Sequence, residues 1–236
     1  MTITTDTIKL SVTGSEMDAY VARPESGRAP AMIVLQEAFG VNDHIKDITR
    51  RLAQQGYVAV APELFHRTAS PGFTAGYTDY ALLGPHFQGI TTEGIADDLR
   101  ATYDWLVGDS QVDKTRIGSI GFCMGGRASF IANAKLPLQA AVSYYGGGIA
   151  PNLLDLAGEQ HGPILFCWGG LDKHIGPEQR GAVAEAMTKS EKTYVSAEFS
   201  KADHGFFCEA RTAYNPEAAR QAWALTLSFL STYLKV

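Results

Sequence analysis

Residues 31–35 read Ala-Met-Ile-Val-Leu and residues 57–61 read Tyr-Val-Ala-Val-Ala. Successive side chains of a strand point to opposite faces, so runs this apolar suit strands covered on both sides. Between them, residues 43–55 carry Ile45, Ile48 and Leu52 at helical spacing, and Gly56 closes the segment. The same reading predicts strands at 116–122, 138–144, 164–168 and 193–199. It predicts helices at 92–107, 124–134, 177–189 and 216–234, the last with Pro216 at a first helical position. Residues 8–12 and 17–22 alternate in polarity and predict an opening hairpin, followed by a turn-rich break at 24–30. A strand pair followed by alternating strand and helix implies a mainly parallel sheet with helices on both faces, an α/β fold. No repeat, low-complexity tract or linker interrupts the chain, so residues 1–236 are expected to form one domain. Residues 62–90 stand out, with Pro71, Gly72, Gly76, Gly84, Pro85 and Gly89 among scattered aromatics. A loop this long is usually functional or mobile.

Twenty basic residues face 25 acidic ones, for a net charge of −5, and no basic block occurs. A nucleic-acid or anionic-membrane partner is therefore not expected. No apolar stretch approaches the roughly 18 residues of a membrane helix. The start, Met1-Thr-Ile-Thr-Thr-Asp, lacks the charged and apolar regions of a secretory signal, so a cytoplasmic protein is expected. The three cysteines, Cys123, Cys167 and Cys208, form no Cys-x-x-Cys pair, so neither a disulfide framework nor a zinc site is expected. Cys167 reads as a small buried hydrophobe.

Cys123 differs. Gly118-Ser-Ile-Gly121-Phe122-Cys123-Met124-Gly125-Gly126 joins a predicted strand to a predicted helix. Gly-x-Cys-x-Gly has the form of a nucleophile elbow, with cysteine in place of serine. The turn is strained, and Gly121 and Gly125 remove side chains that would clash there. The helix N-terminus favours a thiolate, and the Met124 N–H is free to stabilise an oxyanion. A phosphate-binding turn is a rival, although neither Gly-Lys-Ser/Thr nor Gly-x-Gly-x-x-Gly is present. A structural turn with a buried cysteine is another.

A triad on this scaffold runs nucleophile, acid, histidine in chain order, each after a strand. Asp172 follows the strand at 164–168, and His204 follows the strand at 193–199. His204 would take the thiol proton and later activate water, while Asp172 would orient the imidazole. Taken singly, Asp172 is a turn residue and His204 a loop histidine; together, in this order, they point to a site. Asp203 suits a turn hydrogen bond better than the triad. Gln36-Glu37-Ala38-Phe39-Gly40 follows the strand at 31–35, where the fold draws its second oxyanion donor, here the Ala38 N–H. Glu37 beside a thiolate is electrostatically unhelpful. It is expected to be a base, a group that keeps the resting thiol protonated, or a solvated loop charge.

At these residues the chain resembles the dienelactone hydrolase (carboxymethylenebutenolidase) family of the α/β-hydrolase superfamily. The matching pieces are the 36–40 segment, Ala61-Pro-Glu-Leu-Phe65, the Cys123 elbow, Tyr144-Tyr145-Gly146, Gly169-Gly-Leu-Asp172 and His204-Gly-Phe206. The resemblance implies hydrolysis of small-molecule esters or lactones through a thioester, without metal or cofactor. It implies Cys123 as nucleophile, His204 as base, Asp172 as orienting acid and Glu37 as a switch that deprotonates the thiol when substrate displaces it. The chain departs from the pattern in the arginines that meet carboxylate-bearing lactones. Residues 68–98 hold no Arg or Lys, and no arginine follows His204 until Arg211. The expectation is a pocket without a bidentate carboxylate contact, lined by Phe39, Tyr145, Trp168, Phe206 and Phe207. Thioester hydrolysis by the same residues, or a non-catalytic thiol sensor or binding protein on the same scaffold, remain alternatives.

Overall fold

The chain opens with two strands, β1 (Ile3–Val12) and β2 (Ser15–Pro24), paired antiparallel along their whole length. The computed structural model describes residues 1–25 and 27–234; Ser26, in the turn-rich break, lies outside the described residues. The alternating units that follow are β3 (Ala29–Leu35), α1 (Asp43–Gln54) and β4 (Val58–Pro62). Two helices, α2 (Gly84–Gly89) and α3 (Thr92–Gly108), then lead to β5 (Val112–Phe122), α4 (Met124–Lys135) and β6 (Ala140–Tyr144). The chain ends with β7 (Ile164–Gly169), α5 (Pro177–Lys189), β8 (Tyr194–Phe199) and α6 (Pro216–Leu234).

One eight-stranded sheet runs in the order β1-β2-β4-β3-β5-β6-β7-β8. β2 pairs antiparallel with β4, and every pairing from β4 to β8 is parallel. Every residue of β3, β4, β6 and β7 is buried. That pattern requires cover on both faces, and helices supply it, with α3 and α4 packed side by side. The expected mainly parallel α/β sheet is the observed one. No helix among the described residues is long and apolar enough to cross a membrane.

The differences from expectation lie at edges and in short elements. β1 begins at Ile3 rather than at residue 8, because an edge strand keeps one side in water and its Thr-rich start carries no apolar signal. Within the 62–90 loop, a 3-10 turn at Tyr80–Leu82 precedes α2, which has Pro at its first turn and Gly at both ends. Six residues are too few for a helical period to register. A further 3-10 segment, Leu154–Glu159, is likewise too short to show a period.

The root of the long loop is anchored. Asp98 of α3, fully buried, takes a bidentate contact from Arg67 (2.8 Å and 2.8 Å) and a bond from His66 Nε2 (3.0 Å). The Gln36 side chain accepts from the Leu64 N–H (3.0 Å). That bond ties the loop after β3 to the loop after β4, and both flank the carboxyl edge of the sheet.

Candidate active site

The carboxyl ends of five neighbouring strands converge on one patch. Glu37 and Ala38 follow β3, Cys123 follows β5, Tyr145 follows β6, Asp172 follows β7 and His204 follows β8. Parallel strands direct their following loops to the same edge, which is why residues 167 positions apart can meet.

Cys123 sits between β5 and α4 with φ 55° and ψ −115°. A non-glycine residue at positive φ costs about 1–3 kcal/mol and persists only where its surroundings impose it. Here the packing does so. A Cβ at Gly121 would strike the Gly125 carbonyl, and one at Gly125 would strike the Leu35 carbonyl. The elbow is wedged against β3, and the Cys123 N–H is held by the Tyr144 carbonyl (3.0 Å). Met124 is the first residue of α4, so its N–H is one of those a helix leaves unpaired. Among the described residues the Ala38 N–H makes no hydrogen bond either. The two expected oxyanion donors are therefore both free.

His204 Nδ1 bonds Asp172 Oδ2 at 2.8 Å. The other Asp172 oxygen accepts from the N–H groups of His174 (2.8 Å) and Ile175 (3.1 Å). Burial pushes the Asp172 carboxyl up, but these bonds outweigh it and hold the group below its ordinary value. Burial also works against a charged His204. The hydrogen bond to Asp172 and the neighbouring Cys123 sulfur outweigh that and raise it to about 10. Asp203 stays out of this group and accepts from the His204 N–H (2.7 Å), a turn bond.

Glu37 has the opposite environment. It is fully buried, and one oxygen meets Arg211 Nη1 at 3.2 Å while Oε2 has no hydrogen-bond partner among the described residues. Burial raises its pKa, against the pull of Arg211 and His204. A solvated loop charge is therefore the wrong description of Glu37.

Arg211 is the residue that sequence spacing missed. Successive turns coil the segment after His204: Phe206 N–H to Asp203 O (3.2 Å), Cys208 N–H to Gly205 O (3.1 Å) and Arg211 N–H to Cys208 O (3.1 Å). The coil folds the guanidinium back over Gly205, where φ is +82° and any Cβ would collide with Arg211. Its other side covers the Phe39 ring, 5.6 Å from the centroid. The segment after His204 thus brings an arginine to the site, which its spacing in sequence did not suggest. Two signals were available: a buried Glu37 needs a cation, and Arg211 is the only Arg or Lys between Lys201 and Arg220.

The expected aromatic lining divides. Phe39 meets Tyr77 (4.8 Å) and Tyr80 (6.0 Å) of the long loop. Tyr145 lies edge-on to His204 at 5.1 Å. Phe206 is fully buried behind Tyr145 (5.4 Å), and Phe207 packs into the core on Phe122 (5.4 Å) and Tyr144 (4.9 Å). Trp168 stands apart, stacked on Phe166 and bonded to Ser196 Oγ (3.1 Å). Residues 166 and 168 share one face of β7, and that face is core. Among the other histidines, His44 is packed on Phe122 and Phe207 and burial lowers it to about 4. Cys167 is fully buried, which pushes its thiol up, and Cys208 donates to the Tyr77 hydroxyl (3.1 Å). Among the described residues no group of three or more His, Cys, Asp or Glu is arranged to hold a metal ion.

Residues 17–234 match the model of the dienelactone hydrolase family. A Synechocystis protein named "Putative carboxymethylenebutenolidase" is 35% identical over 230 residues, 93% of each chain. A Bradyrhizobium protein named "Probable 2-oxo-3-(5-oxofuran-2-ylidene)propanoate lactonase" is 29% identical over 99% of this chain and 96% of its own. The crystal structure of a "Putative Dienelactone Hydrolase" from Klebsiella pneumoniae superposes with a TM-score of 0.90 at 32% identity, covering 99% of this chain and 100% of that one. With its α/β-hydrolase fold, this ester- or lactone-bond hydrolase belongs to the dienelactone hydrolase family.

Proposed function

We propose that the chain hydrolyses a small lactone or ester through Cys123, with His204 and Asp172 completing the triad and a thioester as intermediate. The observation that carries this reading is the His204–Asp172 bond at 2.8 Å, set at the same sheet edge as the strained Cys123 elbow. Glu37 takes the thiol proton. It is suited to this because its charge is held by one contact to Arg211 in a buried setting, and loss of that contact makes it a stronger base. A substrate carboxylate pairing with Arg211 would remove the contact.

The thiolate then attacks the acyl carbon, forming the C–S bond, and the carbonyl oxygen gains negative charge facing the Ala38 and Met124 N–H groups. Collapse breaks the C–O bond, and the proton held on His204 goes to the leaving oxygen. For the second half, neutral His204 takes a proton from water, whose oxygen attacks the thioester. The departing thiolate recovers its proton from Glu37. Water is consumed, and each protein group ends as it began. The chemistry calls for an ionised Glu37 and a protonated His204 in the free enzyme, so kcat/KM should be bell-shaped, with its alkaline limb near 10.

The preferred substrate is a lactone bearing one carboxylate, since among the described residues Arg211 is the one guanidinium against Glu37 and Phe39 gives it an apolar backing. Cys123→Ala should lower turnover of such a lactone by on the order of 10⁴-fold or more while leaving the circular dichroism spectrum unchanged. Undiminished turnover in that variant would refute the nucleophile. Equal kcat/KM for charged and neutral lactones would refute the role of Arg211.

A further inference from the structure

Two buried polar atoms of the site have no hydrogen-bond partner among the described residues: Glu37 Oε2 and the Tyr145 hydroxyl. Both lie at the carboxyl edge of the sheet, on the loops after β3 and β6, and Tyr145 lowers the Glu37 pKa against the effect of burial. One is an acceptor and the other a donor, so they are complementary. Tyr145 is also held at φ 37°, a conformation that bulky residues rarely adopt. Its N–H is fixed by the Cys167 carbonyl (2.8 Å), and its ring by His204 (5.1 Å) and Phe206 (5.4 Å). Those contacts account for the ring and leave the oxygen unexplained. A phenylalanine would pack equally well and bury no unpaired hydroxyl.

We propose that Tyr145 is a positioning residue for Glu37: its hydroxyl donates to the carboxylate oxygen that Arg211 leaves free and keeps Glu37 ionised in the resting enzyme. This role rests on Glu37 being the acceptor of the Cys123 proton. The phenol is well suited, because burial keeps it protonated far above neutral pH. While Glu37 is ionised, the phenol donates to it. Once Glu37 has taken the thiol proton, the new carboxylic O–H donates back to the phenol oxygen, and the phenol keeps its own proton throughout.

The test is the pH dependence of kcat/KM for a carboxylate-bearing lactone in wild type, Tyr145→Phe, Glu37→Gln and the double variant. Loss of a donor to a carboxylate should move the acid limb of Tyr145→Phe upward by about one pH unit. The same change should do nothing to the pH profile in the Glu37→Gln background. Infrared difference spectra against Glu37→Gln report the Glu37 carboxyl stretch directly, and its titration should shift by the same amount. Fluorotyrosine at position 145, a stronger donor with an intact ring, should move the limb downward. If Glu37→Gln abolishes the limb while both Tyr145 replacements leave limb and stretch unmoved, Tyr145 is packing alone and the positioning role is wrong. If Glu37→Gln leaves the limb in place, Glu37 is not the proton acceptor, and the role of Tyr145 falls with it.

Discussion

Two carboxylates lie in one site, on the loops after β7 and β3, and their surroundings drive them in opposite directions. Asp172 and Glu37 are both desolvated, which by itself raises a carboxyl pKa. Asp172 receives an imidazole and two backbone N–H groups and ends below its ordinary value. Glu37 receives one guanidinium contact, keeps one oxygen unpartnered and ends above it. The difference teaches that the number of donors, rather than burial, sets the direction of each shift. On the proposed mechanism, the carboxylate that stays charged is given more donors than the one that picks up a proton.

The strongest way to break this comparison is to strip Asp172 of its charge. Asp172→Asn should cost on the order of 10³–10⁴-fold in kcat. It should also pull the alkaline limb down from about 10 toward the ordinary imidazole value of 6.5, because the carboxylate is what holds the proton on His204. A pH-rate profile measures both effects. An unmoved limb would mean that Asp172 is only a turn residue.

Glu37→Gln should cost less, about 10²-fold with a carboxylate-bearing lactone, the scale of one proton-transfer group. The two carboxylates should also differ in how stability follows pH. Asp172 has a lowered pKa, so its stabilisation is complete above its unfolded value of 3.8 and is lost as the pH falls through the folded one. Glu37 has a raised pKa, so its favourable contribution is complete below 4.5 and is lost as the pH rises through the folded value. Thermal melts between pH 4 and 8 should therefore vary less in Glu37→Gln than in wild type. A parallel pH dependence in the two proteins would contradict the raised value.

The smallest effect is expected from Gly205→Ala, which sharpens the comparison from the Arg211 side. A Cβ there is strained at φ +82° and displaces the guanidinium from its seat against Phe39. The expected loss is about 1–2 kcal/mol in stability. KM should rise for anionic lactones more than for neutral ones. An equal rise for both would mean that Arg211 does not contact substrate.

The elbow is legible in the sequence and the long loop is not, for a physical reason. The elbow is local. Gly121, Cys123 and Gly125 meet steric demands imposed within a few residues, so their spacing reports their geometry. The loop at 62–90 is organised by distant partners: Arg67 and His66 against Asp98, Tyr77 and Tyr80 against Phe39. No pattern within the loop announces them. The aromatic residues divide in the same way. Composition suggested a lined pocket, yet Phe206, Phe207 and Trp168 went to the core, where apolar area is most fully removed from water.

By itself the sequence determined the alternation of buried strands and helices, hence a mainly parallel sheet whose loops gather at one edge. It also determined the order Cys123, Asp172, His204 along that edge. Both follow from short-range rules, periodicity and strand-to-loop polarity, that need no knowledge of the whole. Only the tertiary structure decided that Arg211 meets Glu37 and that Trp168 faces away. Seven residues in a straight line carry a side chain far from His204, whereas the same seven coiled in successive turns bring it back over Gly205. The charge balance around Glu37 depends on that return. Coulomb energy depends on separation in space, and spacing along a loop does not report it.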